Sequence, residues 1–329
     1  MVPSPRAHRR ASCSKQAFRF WLSLLVAWGV LLFATVVLAD GESDPAGAQR
    51  SPSTDANFIA VPYGVHYRII FVGAGLSHSV PLSTRPGRFW DGTNVTYGLN
   101  DYYGLINNSL GGFAEVTPIA FFKLRIYAAW DTLFGAGIGD ALRVLSETGR
   151  ARLSQGHVAP DDPASVGWED DYDPRDNYRP NVFGQGLRAK VTPTLQAKIG
   201  PIGCQYNFTA DWNFYSGGGF GANDVFHDTF TFTLRKMRDF GEVHEAFLVS
   251  DVPVPGNLVV GGTMKYYRVS GTRLESFSLA AVARYAFSDD KSQNRFKPWM
   301  AVMAGTLLID PMYRHEATFV LALGADVRL

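Results

Sequence analysis

Cysteine is nearly missing from this chain. Its 329 residues hold two, Cys13 and Cys204, and the first sits in a basic, apolar leader. Once that leader is removed Cys204 has no partner, which excludes a disulfide framework and a cysteine-based metal site. Long apolar runs are missing too: beyond residue 39 no segment approaches 18 uninterrupted apolar residues, so no later stretch reads as a membrane-crossing helix. An excess of one charge is also absent. The chain carries 31 Lys and Arg against 30 Asp and Glu. Without the leader's five bases, 26 remain against 30, a net charge of −4 that argues against nucleic acid as a partner.

Sets of residues that carry chemistry are equally scarce. His66, His157, His227, His244 and His315 show no metal-ligand spacing. The run Ser216-Gly217-Gly218-Gly219-Phe220-Gly221 has no Lys and no strand–turn–helix context, so it is a loop and not a phosphate cradle. Ser77-His78-Ser79 puts a histidine between two hydroxyls. Sequence neighbours point to different faces, so a dyad is not expected there. The expectation is a protein with no cofactor, no metal and no enzymatic activity.

What is present begins with the leader. Arg6, Arg9, Arg10, Lys15 and Arg19 precede an apolar run from Phe20 to Leu38, and Val37-Leu38-Ala39 supplies a small-residue cleavage pattern before Asp40. Residues 1–39 are expected to be a signal peptide for Sec-type export. Arg9-Arg10 runs into Ala-Ser-Cys, a poor twin-arginine context, and Cys13 has no lipobox around it. Residues 40–57 are polar and rich in small side chains and read as a flexible tail.

The rest of the chain, 58–329, alternates with a period of two. Leu187, Ala189, Val191, Pro193, Leu195, Ala197 and Ile199 interleave with Arg188, Lys190, Thr192, Thr194, Gln196 and Lys198. After Gly200-Pro201 the phase restarts, with Ile202, Cys204, Tyr206, Phe208, Ala210, Trp212 and Phe214 opposite Gly203, Gln205, Asn207, Thr209, Asp211 and Asn213. This is a hairpin with two clean faces, each arm long enough for a tilted transmembrane strand. Similar patterns read as strands at about 62–73, 95–105, 113–130, 229–235, 243–252, 257–269, 276–288 and 298–309. In the last stretch Phe319, Leu321, Leu323, Ala325, Val327 and Leu329 alternate with Val320, Ala322, Gly324, Asp326 and Arg328.

A chain that ends this way resembles the closing strand of bacterial outer-membrane barrels, with Leu329 where that family usually carries Phe. The resemblance implies an all-β, antiparallel up-and-down transmembrane barrel in the outer membrane, in contact with membrane lipids. Eleven strands are legible, and single-chain barrels have even strand numbers. Twelve is therefore expected, with 10 as the second choice and the missing strand sought in 141–153. Residues 132–180 break the pattern as a long loop whose middle is acidic: Asp161, Asp162, Glu169, Asp170, Asp171, Asp173 and Asp176. Its spacing fits no EF-hand, so a solvated acidic loop is expected.

The alternation turns Lys123, Arg125, Arg188, Lys190, Lys198, Arg235 and Arg284 inward, together with Arg68, Lys265 and Arg328. Only Glu115, Asp211, Asp228 and Asp326 are seen to oppose them. Two readings follow. A base excess favours a passive channel for small anionic solutes. Alternatively the charges pair into a plug, giving a closed structural or adhesion barrel. An outer-membrane lipid-modifying enzyme is the third and least supported reading.

Overall fold

The computed structural model describes residues 52–65, 71–83, 92–104, 107–133, 142–146, 178–217, 220–228, 233–288, 295–309 and 317–328, with Gly87, Trp90 and Thr231 between them. Twelve strands close into an antiparallel barrel. In chain order the first five are β1 (Ser53–Val65), β2 (Phe71–Pro81), β3 (Asn94–Gly104), β4 (Asn107–Ile119) and β5 (Phe122–Leu133). Next come β8 (Gly184–Ile199), β9 (Ile202–Gly217) and β12 (Arg238–Val252). The barrel is completed by β13 (Asn257–Val269), β14 (Glu275–Ala286), β15 (Phe296–Ile309) and β16 (Ala317–Arg328), which pairs with β1 and closes the circle. Four short strands, β6 (Leu142–Leu145), β7 (Tyr178–Val182), β10 (Val225–Asp228) and β11 (Thr233–Lys236), form a separate sheet in the order β11-β10-β6-β7.

The expected twelve strands are present, but three elements are not where the sequence suggested. The stretch 113–130 is not one strand: Ala120 and Phe121 turn the chain between β4 and β5. A register shift between Val116 and Ile119 keeps even-numbered residues outward on both sides of that turn, so the phase gives no sign of it. Likewise 62–73 is the end of β1 and the start of β2, with a shift between Ala60 and Tyr63. β1 begins at Ser53, five residues inside the stretch expected to be tail. Of the stretch 229–235, residues 233–235 belong to β11, which pairs with β10 in the small sheet and not with the barrel wall. Within the presumed acidic loop, β6 and β7 are strands of that same sheet, while the carboxylates at 161–176 lie outside the described residues. So do the leader and Leu329.

Directly opposed residues share a face, so the pairing fixes inside and outside. Phe214, Leu187, Trp130 and Leu110 form one outward row across β9, β8, β5 and β4. All four are exposed, as are Leu76, Leu99, Leu248, Leu279 and Leu323 on other strands. Large apolar side chains in contact with the surroundings on alternate residues are what a lipid-facing wall requires. Cys204 takes the outward phase with Leu248, and Gln205 the inward phase. The chain termini of the barrel, Ser53 and Arg328, lie at one end, here the terminal end. The opposite, loop end receives both long connections, β5 to β8 and β9 to β12, and from them the small sheet.

Candidate functional site: the lumen and its loop end

Five charged side chains meet under the small sheet. Asp131 (β5), Arg188 (β8) and Asp211 (β9) come from the wall, Asp228 (β10) and Arg235 (β11) from the insert, and none is more than 2% exposed. Arg188 is central. Its Nε donates to Asp131 Oδ2 at 2.8 Å, and its Nη2 donates to Asp228 Oδ1 at 2.9 Å. The Tyr215 hydroxyl accepts from the same guanidinium at 2.6 Å and donates to Asp131 Oδ2. Ser109 completes Asp131 by donating to Oδ1 at 2.6 Å. Arg235 Nη1 donates to Asp211 Oδ2 at 2.8 Å, and its Nη2 donates to the Asp211 carbonyl at 3.1 Å. Thr231 donates to Asp228 Oδ2 at 2.7 Å. Burial opposes the charge on Arg235, but Asp211, Tyr267 and Asp228 outweigh it and hold the guanidinium above its ordinary range.

A dry apolar layer lies beside this network. Leu133 and Tyr215 from the wall pack with Val144 and Phe226 from the insert, and with Met237 where β11 passes into β12. The insert also reaches the β13–β14 turn, where the Thr272 hydroxyl donates to the Leu234 carbonyl. Arg235 meets Asp211 six residues below the end of β9, about 20 Å along the strand at roughly 3.3 Å per residue. The small sheet is therefore inside the mouth of the barrel. Burial of inward residues continues round the ring at this level, with Val61, Asn100, Leu307 and Thr318 all under 8% exposed.

The terminal half differs. Lys123 pairs with Glu115 at 3.9 Å, Arg284 with Asp326 at 3.6 Å, and Lys198 with Asp251, and all six side chains reach water. Water thus reaches these charged side chains of the terminal half, although the inward Thr117, Thr194 and Ala286 there are no more than 8% exposed, whereas the five charges at the loop end are all buried.

The candidate lumen residues therefore divide. Arg188 and Arg235 are in the buried network; Lys198, Lys123 and Arg284 are in terminal-end ion pairs. Arg125 stacks its guanidinium 4.0 Å from the centre of the Phe113 ring, and Lys190 lies 5.9 Å from that of Tyr127. Arg188, Lys190 and Lys198 do share one face of β8, but they occupy three different surroundings. Arg68 lies outside the described residues.

The base excess also shrinks. By strand phase Asp55, Asp131, Asp239, Glu245 and Asp251 face inward as well. Across the described wall nine bases face eight acids. Asp55 lies in the stretch expected to be tail, and Asp131 lies one residue beyond the strand expected over 113–130. Asp239 precedes the strand start read at 243. Among the described residues no three His, Cys, Asp or Glu side chains gather as a metal-ligand set.

No family model matches the chain, and no curated protein matches it. Among solved structures it is similar to the translocator domain of the autotransporter NalP from Neisseria meningitidis, with TM-score 0.42, 10% identity and 98% of each chain covered. It is similar also to the KdgM porin, with TM-score 0.35, 8% identity, 84% of this chain and 98% of that one covered. LpxR from Salmonella typhimurium gives TM-score 0.35 and 9% identity over 84% and 99% of the two chains.

Proposed function

We propose that this chain is an integral outer-membrane barrel, delivered by Sec-type export, whose lumen is closed at rest by its own inserted sheet. The observation that carries the reading is the Arg188 bridge, which ties Asp131 of the wall to Asp228 of the insert with all three side chains buried. The exposed apolar outer phase supports the membrane placement, and the basic-then-apolar leader supports export. A passive channel for small anions is the second reading. It needs a lumen open at both ends and an inward excess of base, and nine bases against eight acids supply little excess. Histidine–hydroxyl contacts do occur, His78 Nδ1 with Thr54 Oγ1 at 2.9 Å and His244 Nδ1 with the Tyr206 hydroxyl at 2.7 Å, but such a pair alone does not make a set of nucleophile, base and orienting group.

The test is solute retention. The mature protein should leave membranes only with detergent and shift its gel mobility on heating. Liposomes carrying it should retain chloride and small organic anions nearly as well as liposomes without protein. Rapid anion efflux from protein-bearing liposomes would restore the passive channel and remove the closed-barrel reading.

A further inference from the structure

The five buried charges are divided between two surfaces in a particular way. The wall holds Asp131, Arg188 and Asp211; the insert holds Asp228 and Arg235. The insert's two charges are within reach of each other, Arg235 Nη1 lying 3.4 Å from Asp228 Oδ2. On the wall Arg188 has Asp131 at 2.8 Å, and Asp211 is the register partner of Lys190 on the adjoining strand. If the two surfaces part, Arg188 retains Asp131, Asp211 gains access to Lys190, and Asp228 retains Arg235. Each surface then carries as many positive as negative charges, and no charge is stranded. A permanent seal has no use for that arrangement, since apolar side chains of the same volume hold as well as a buried ion network or better.

Strand number allows a path once the insert is displaced. About eight strands enclose only room for their own side chains, whereas barrels of roughly 16 leave an aqueous channel, and twelve lies between. On β14, β15 and β16 the inward positions mix small residues, Ser278, Ala280, Ala301, Gly305 and Ala322, with the larger Val282, Met303 and Val320.

We infer that the insert is a detachable plug, that the Arg188–Asp228 bridge is its latch, and that the protein is a gated pore for small hydrated ions and solutes. This inference rests on the closed-at-rest reading above. With the inward charges nearly balanced, the open pore would select weakly by sign.

The experiment is single-channel recording of the full mature protein in planar bilayers. Wild type should give rare openings of one uniform size. Asp228→Asn keeps the side chain's shape and removes the latch charge; it should raise the open fraction at least about tenfold with unchanged single-channel conductance. Thr231→Val leaves every charge in place but removes the hydroxyl that supports Asp228 at 2.7 Å, and should raise the open fraction less. A heat-modifiable Asp228→Asn protein as quiet as wild type overturns the latch while leaving the closed barrel intact. Should Asp228→Asn fail to give a heat-modifiable barrel, Thr231→Val decides, and an unchanged open fraction overturns the proposal. Wild type that conducts steadily overturns the closed-barrel reading itself.

Discussion

Arg188→Met should destabilise the barrel by about 3–5 kcal/mol, because removing one partner from a buried charge cluster strands the others. Asp131 would lose its guanidinium and keep the Ser109 and Tyr215 hydroxyls, and Asp228 would keep the Thr231 hydroxyl and share Arg235 with Asp211. The comparison that gives the number meaning is Arg284→Met. Arg284 also pairs with an aspartate, but its side chain is 46% exposed and the N–O separation is 3.6 Å. An exposed pair of that kind contributes about 0–1 kcal/mol. Guanidinium unfolding of the two variants in detergent should therefore separate them clearly. Equal losses would mean that Arg188 is hydrated, and the seal at the loop end would not exist. The expectation concerns deletion of one partner only; replacing the whole cluster by apolar residues could be neutral.

The second large effect lies on the outer wall. Leu279 is near the middle of β14, outward and 40% exposed, opposite Met264 and Thr306. Leu279→Arg should cost about 2–4 kcal/mol in a bilayer, the range for a cation on the lipid face near the midplane. Val282→Arg, three residues on and inward by the same phase, turns the same cation into the terminal half of the lumen and should cost clearly less. Folding yield and unfolding midpoint in lipid vesicles measure both. Because a one-residue slip exchanges the two faces, the reverse ranking would invalidate the face assignment of the whole β13–β15 wall.

Much of the barrel was legible because alternation is a local signal. In β8 and β9 every second residue changes polarity for 13 positions each, and the observed pairing puts the same residues on the same faces. The errors arise where a non-local event preserves a local pattern. The turn at Ala120 and Phe121 is masked by the register shift beside it, and two strands read as one. At 233–235 the residues belong to β11 of the small sheet, where Thr233, Leu234 and Arg235 are all buried and Arg235 meets Asp211 of the wall, and not to a strand with one face in lipid. The plug itself was hidden for a different reason. Arg188 and Asp228 are 40 residues apart, and β6 joins β10 across more than 80. No period or spacing announces such contacts. A buried arginine in a barrel strand reads in sequence like any lumen-facing base, so charges that are paired out of water were counted as pore lining.

One measurement addresses the one-ended lumen most directly. In a Cys13→Ser/Cys204→Ala background, single cysteines at inward positions of the two halves are exposed to a small charged thiol reagent in intact membranes. Asp326→Cys and Lys198→Cys replace water-exposed side chains at the terminal end, whereas Leu133→Cys and Leu307→Cys replace inward residues at 0% and 5% exposure near the loop end. The first pair should react within minutes, and the second pair only after denaturation. Comparable labelling of all four in the native protein would mean that water passes the insert, and the account of a barrel closed at its loop end would be wrong.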